Sequence, residues 1–164
     1  MSNERSITIT WQDPALFVER IKAMSGLEYL TAMTKGDIPL PPIGNLINFQ
    51  LTEVAPGRVV FEFIPEEYHH NPFGSAHGGI ASLMIDSATA CAVHTTLPAG
   101  TGYTTLEIKV NFVRPITVGS GRMICEGKVL HAGARVATAE ARITDQEERL
   151  YAHGVSTCMI FSPQ

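Results

Sequence analysis

From Gly78 to Val93 the chain carries one carboxylate, Asp86, and no lysine or arginine. The run is too long for a strand and too short to cross a membrane, and it predicts a helix from Gly79 to about Thr96, apolar nearly all round. Such a helix is buried rather than laid on a surface, so the rest of the chain must supply something to wrap it. The single acid in it is an energetic anomaly. Burying a carboxylate costs several kcal/mol unless it is hydrogen-bonded or does chemistry. Immediately upstream, His77-Gly78-Gly79 puts bare backbone N–H groups at the helix start. An acid and a set of pre-oriented backbone donors on one element suit acyl transfer.

The wrapping is readable as strands. Leu46–Glu53 and Arg58–Ile64 flank Val54-Ala55-Pro56-Gly57, which reads as a hairpin. Gly102–Val113 alternates, with Leu106, Ile108, Val110 and Phe112 on one face and Thr105, Glu107, Lys109 and Asn111 on the other. Thr104 neighbours Thr105 on the opposite face, so a one-residue slip would exchange them. Gly121–Leu130, Arg135–Thr144 and Leu150–Phe161 follow, joined by His131-Ala132-Gly133-Ala134 and by Asp145–Glu148, turns short enough for antiparallel neighbours. The expected fold is α+β: a mostly antiparallel, six-stranded sheet around one long central helix. Ahead of it, Asp13-Pro14 predicts a helix start with Asp13 as N-cap and Pro14 at the first position. Leu16, Phe17, Ile21 and Met24 recur at helical spacing, then Leu27, Leu30 and Met33, with Gly26 dividing two short helices. Gly36–Gly44, with Pro39, Pro41 and Pro42, reads as a loop. Residues 1–43 are therefore expected to form a tail, a helical extension and a Pro-rich loop, and 44–164 the main domain.

Composition removes several function classes. The net charge is −4 and no basic block is present, which argues against sequence-independent nucleic-acid binding. Cys91, Cys125 and Cys158 are far apart and show no ligand spacing, so they read as small buried hydrophobes. His69, His70, His94 and His153 form no metal-ligand pattern, and no metal is expected. The N-terminus has no charged leader followed by an apolar stretch, and a cytoplasmic protein, not associated with membrane, is expected.

The motif Asn71-Pro72-x-Gly74-x-x-His77-Gly78-Gly79, followed by Asp86, resembles the PaaI-type acyl-CoA thioesterases of the hotdog-fold superfamily. The resemblance covers roughly residues 44–161 and includes the Asn111-Phe112-x-Arg114-Pro115 segment. It implies a six-stranded sheet around the central helix and dimers joined edge to edge, commonly paired into tetramers. It also implies active sites at the dimer interface. It assigns Asp86 as general base or nucleophile and the Gly78 N–H as donor to the thioester carbonyl, with Gly79 opening the helix beside the bound coenzyme. Asn71 would donate to the carbonyl or the attacking water, His77 would position the loop or polarise the carbonyl, and Thr105 would orient the water. Arg114, His131 and Arg135 would meet the coenzyme A phosphates. Coenzyme A is then part of the substrate, and no separate cofactor is needed. The acyl pocket is not readable, and Met24, Met33, Phe73 and Met84 are its candidate walls. Two alternatives stay open: a hotdog hydratase or dehydratase using His77 with Asp86, and a non-catalytic acyl-CoA-binding module. Gly78 and Asp86 lie eight residues apart, about 12 Å along one helix. A single thioester carbon cannot touch both in one chain, so the expected site is shared between subunits.

Overall fold

The computed structural model describes residues 3–161. Residues 1–2 and 162–164, assigned above to the N-terminal tail and the end of the main domain, lie outside the described residues. The elements are α1 (Ala15–Ala23), α2 (Gly26–Thr34), α3 (Pro42–Ile47), β1 (Phe49–Ala55), β2 (Arg58–Phe63), α4 (Gly78–His94), β3 (Gly102–Phe112), β4 (Met123–Ala132), β5 (Val136–Asp145) and β6 (Leu150–Phe161). The six strands form one antiparallel sheet in the order β1-β2-β4-β5-β6-β3. This is the hotdog arrangement: α4 lies against the sheet, and the strand order leaves β3 as an edge.

Small residues let α4 lie close. A Cβ added at Gly127 of β4 would run into the backbone of Ala88, and one at Gly154 of β6 would come within 2.9 Å of Ile85. Opposite them, Ala81, Met84, Ile85, Ala88, Ala92 and Val93 of α4 are buried, and each large side chain withdrawn from water contributes about 1.5–3 kcal/mol. The other face of α4 is only half-covered: Leu83, Asp86, Ser87, Ala90 and Cys91 are partly exposed. The reading of a helix apolar nearly all round and buried on every side thus holds on one face, and the acid sits on the open one.

Three local expectations change. Residues 42–47 are helical, so the segment read as a loop running into a strand at Leu46 ends in a short helix. Pro42, following the extended Pro41, occupies a first-turn position where proline is pre-set for a helix. Asn48, left-handed at φ 56°, then turns the chain into β1. At α1 the regular helix begins at Ala15 rather than Pro14, while Asp13 Oδ1 accepts the Ala15 N–H at 2.9 Å, the capping role read for it.

The third change matters most for the site. The β3–β6 register slips between Thr105 and Glu107: Thr105 pairs with the buried Cys158, and Glu107 with Thr157. Leu106 is the bulged residue and is 57% exposed. An extra residue reverses the alternation, so Thr105 shares the inward face with Ile108 and Val110 instead of opposing them.

The N-terminal helices add to the same core. Tyr29 and Leu30 of α2 and Ile47 of α3 are buried in one cluster with Phe49, Phe61, Met84 and Ile85. Ser25 and Glu28 close a reciprocal cap at the start of α2, which satisfies two otherwise unpaired backbone donors.

Candidate active site

The stretch from His70 to His77 is a loop pinned at both ends. His70 bridges Ala76, the His77 N–H donates to the His69 carbonyl at 2.8 Å, and Ala76 N–H to the Ile116 carbonyl at 2.7 Å. Inside it, Asn71 Oδ1 accepts from the Phe73 N–H at 2.8 Å and Asn71 Nδ2 donates to Ser75 Oγ at 3.1 Å. Asn71 therefore organises its own loop, the role short polar side chains commonly take in turns. Gly74 sits at φ 79°, in the left-handed region. Beneath the loop His69 is buried, its Nδ1 accepting the Glu66 N–H at 3.0 Å, and burial lowers its pKa.

His77 is the N-cap of α4, and its Nδ1 accepts the Gly79 N–H at 2.9 Å. That leaves the Gly78 N–H, which the helix itself does not use and which has no acceptor among the described residues. Phe112 presses on this point: a Cβ at Gly78 would lie 3.2 Å from the ring. Asn71, Gly78, Phe112, Arg114 and Tyr151 line a cavity of about 310 Å³. Arg114 is held there, donating to the Leu150 carbonyl at 3.0 Å and lying over the Tyr151 ring, 5.3 Å from its centre.

Asp86 is elsewhere. It opens into a second cavity of about 460 Å³ whose walls are mostly apolar and come partly from α2, Leu40 and Pro41. Thr105 donates to Asp86 Oδ1 at 2.8 Å. The bulge at Leu106 is what turns Thr105 toward the acid, and with straight alternation Thr104 would have faced it. Cys91 also lines this cavity, unlike Cys125 and Cys158, which are in the core. Burial, aided by the nearby Asp86 carboxylate, pushes the Cys91 thiol up to about 12. At neutral pH it is a protonated thiol and a poor nucleophile; Asp86 is the one carboxylate among the residues lining this cavity.

The predicted residues thus fall into two groups. Asn71, His77, Gly78, Gly79 and Arg114 gather at the N-terminal end of α4; Asp86 and Thr105 sit two turns further on. His131 and Arg135 lie at the β4–β5 turn, where Arg135 lines a third cavity with Thr101 and Phe161. Since Gly102 pairs with Phe161 and Phe112 with Ala152, Arg114 and Arg135 stand at opposite ends of β3. Of the candidate pocket walls, Met33 lines the Asp86 cavity, Met84 is core, and Phe73 is 93% exposed. Tyr29, His94 and Tyr103 also line that cavity and were not singled out from the sequence. His94 could have been found by spacing: Asp86, Ala90 and His94 are four apart and share a helix face.

A model of the thioesterase superfamily matches residues 73–152. Acyl-coenzyme A thioesterase 13 of Homo sapiens is 27% identical over 131 residues, 79% of this chain and 90% of that protein. The solved phenylacetic acid degradation-related protein of Ralstonia eutropha is 26% identical, with a TM-score of 0.72 covering 80% of this chain and 98% of that one. The PaaI protein of E. coli, from the phenylacetic acid degradation operon, has the same fold, with a TM-score of 0.73 at 17% identity over 86% of this chain and 98% of that one.

Proposed function

We propose that the chain is a member of the thioesterase superfamily, whose model matches residues 73–152, and that it hydrolyses an acyl- or aryl-coenzyme A thioester to the free acid and coenzyme A. One observation carries the reading: a carboxylate oriented by a hydroxyl, Asp86 with Thr105, opens into an apolar cavity fit for an acyl group. Asp86 takes a proton from water as its oxygen attacks the carbonyl carbon, or attacks that carbon itself and forms an anhydride that water then cleaves. On either route the carbonyl oxygen gains negative charge, and the free Gly78 N–H at the positive end of α4 donates a hydrogen bond to it. The tetrahedral intermediate collapses, the C–S bond breaks and coenzyme A leaves as the thiolate, which takes up the proton that water gives up, through Asp86 on the first route and on hydrolysis of the anhydride on the second. The name of the human relative supports an acyl-CoA substrate, and the phenylacetic acid setting of the two solved relatives supports an aryl one.

The active unit in this reading is a dimer. Gly78 lies over Phe112, and Asp86 is bonded to Thr105, seven residues back along the same strand. The outer edge of β3 has no strand beside it among the described residues. Antiparallel pairing of two such edges, centred between Ile108 and Lys109, brings the Phe112 of one protomer beside the Thr105 of the other. Each Gly78 then faces the acid of the opposite chain. The same twofold carries the Arg135 end of one protomer toward the Arg114 end of the other, so the coenzyme phosphates are met by cations from both. Exposed Leu106, Phe112 and Val113 supply apolar surface along that edge. Pairing of such dimers into tetramers, in the cytoplasm, completes the proposal.

Thiol release from a panel of short, medium, long and aromatic acyl-CoAs tests the function, with hydration of an enoyl-CoA measured alongside. Thiol release is expected and hydration is not. Hydration without thiol release, or tight binding of every thioester with no turnover, would overturn the proposal. Thr105→Val should lower kcat about tenfold with little change in KM, because the hydroxyl acts on Asp86 and not on the substrate. An unchanged kcat would remove Thr105 from the site.

A further inference from the structure

We propose that Tyr151 is a positioning residue for Arg114: its ring carries the guanidinium so that the unused N–H groups meet the coenzyme's phosphates, and this sets the preference for coenzyme A over a thiol without phosphates. The inference rests on the thioesterase reading, which brings coenzyme A to the cavity that Gly78 and Arg114 share.

Arg114 is gripped twice by the start of β6. Its backbone N–H and that of Val113 both donate to the Tyr151 carbonyl, at 3.0 and 2.8 Å. Its Nη1 donates to the Leu150 carbonyl at 3.0 Å. The guanidinium carbon stands 5.3 Å from the centre of the Tyr151 ring, inside the roughly 6 Å at which an aromatic face attracts a cation. Pro115 follows and disfavours a helical backbone at Arg114. Main chain and side chain are thus held by the same two residues.

Tyr151 is itself fixed at the far end of its ring. It is 5% exposed, and its hydroxyl donates to Asp145 Oδ2 at 3.1 Å. Asp145 is buried, and each of its oxygens accepts twice. Oδ1 takes the N–H groups of Glu147 and Arg149, each at 3.0 Å, and Arg149 Nε donates to Oδ2 at 2.6 Å. Desolvation raises the Asp145 pKa, but these hydrogen bonds outweigh it and hold the carboxyl down to about 2. The anchor therefore stays ionised at neutral pH. The β5–β6 turn, the tyrosine and the arginine form one chain of contacts that ends at the cavity.

The arrangement leaves Arg114 as a cation without a counter-charge. Arg5, Arg58, Arg122 and Arg149 each pair with a carboxylate. Arg114 has a carbonyl and a ring face instead, and no carboxylate partner among the described residues. Arg149 meets the charge of Asp145, so that acid does not draw Arg114 away. No carboxylate lines the Arg114 cavity either. A guanidinium has about five N–H donors, and its Nη1 uses one of them on Leu150. Neutral partners preserve the charge for an anion, and a planar fork held in one orientation suits the paired oxygens of a phosphate. A mobile arginine would lose side-chain freedom on binding; this one has already lost it.

Thioesters of one acyl group on coenzyme A, 3′-dephospho-coenzyme A and pantetheine test this. In the wild type the pantetheine thioester is expected to have the higher KM. Arg114→Ala and Tyr151→Leu should each shrink the pantetheine-to-coenzyme A KM ratio about tenfold. A general loss of packing would move all three thioesters together and leave the ratio alone. Tyr151→Phe keeps the ring and should keep most of the ratio. In an Arg114→Ala background, Tyr151→Leu should shrink it no further, because the tyrosine acts through the arginine. Arg114 is exposed, so Arg114→Lys supplies a variant that leaves the core untouched. It retains the charge, lacks the planar fork, and should still lose the ratio severalfold. A ratio unmoved by Tyr151→Leu, by Arg114→Ala or by Arg114→Lys would overturn the proposal. A loss shared by the 3′-dephospho thioester marks the diphosphate as the group met, and a loss confined to coenzyme A marks the 3′-phosphate. Calorimetric binding of coenzyme A and pantetheine reads the same preference without turnover. A protein that releases no thiol but shows the preference, and its loss in the variants, would refute the hydrolase reading and leave the Tyr151–Arg114 device standing. Equal wild-type affinities for the two thiols would refute the device.

Discussion

Asp86→Ala is expected to lower kcat about a thousandfold and leave a folded protein. The kinetic loss follows from the role: a positioned base or nucleophile contributes on the order of a hundred- to ten-thousandfold. Folding should survive because Asp86 lies on the half-open face of α4 and the Thr105 hydroxyl is its one side-chain partner among the described residues. Alanine is also the better helix former. Asp86→Asn sharpens the test. An amide can keep a hydrogen bond with Thr105, but it cannot take a proton from water or serve as a carboxylate nucleophile. The two variants should therefore share the kinetic defect, with KM within a few-fold of wild type. Steady-state thiol release and circular dichroism on the same samples check it. A folded Asp86→Ala protein with undiminished kcat would remove the acid from the mechanism.

Gly78→Pro is expected to lower kcat by about a hundredfold or more, the size of effect seen when one oxyanion donor is lost. Proline deletes the backbone N–H, and this position tolerates it. Gly78 is the first residue of α4, where the N–H has no helical partner and proline is favoured. The preceding His77 is already at φ −57°, ψ 138°, the region a following proline demands. Gly78→Ala is the control. It keeps the N–H and adds a Cβ 3.2 Å from the Phe112 ring, a contact the ring can yield to by a small shift. Alanine should cost less than tenfold in kcat. Equal defects in the two variants would mean that the space at Gly78 matters and its N–H does not.

Much of this protein is legible before any coordinates are seen. The Gly78–Val93 run contains one acid and begins behind paired glycines, so the helix and its unusual residue announce themselves together. The strands are readable because alternation and short turns recur after Gly102. The remainder fails for identifiable reasons. Pro41 and Pro42 look like loop residues, but a first-turn proline is as much a helix start as a breaker, and α3 is too short to show periodicity. The bulge at Leu106 leaves no trace in composition: Leu106, Ile108 and Val110 keep alternating in sequence while the backbone slips beneath them. Hence Thr105 was recognisable as a candidate, but the face it occupies was not. Arg114 and Arg135 were recognisable as cations, whereas their separation at the two ends of β3 depends on strand order. The lining of the Asp86 cavity is the least readable part, since Tyr29, His94 and Tyr103 come from three elements and meet only in the fold.

In the proposed dimer, one active site takes its oxyanion donor from one chain and its carboxylate from the other. Mixing the two inactive variants, Asp86→Ala and Gly78→Pro, under conditions where subunits exchange, measures this directly. In each mixed dimer both lesions fall in one site and the other site is intact. Thiol release should therefore rise from near zero to about a quarter of the wild-type rate at equal mixing. If exchange is demonstrated, by native mass spectrometry of differently tagged chains, and the mixture stays as inactive as its components, the donor and the acid serve the same chain and the shared site is wrong.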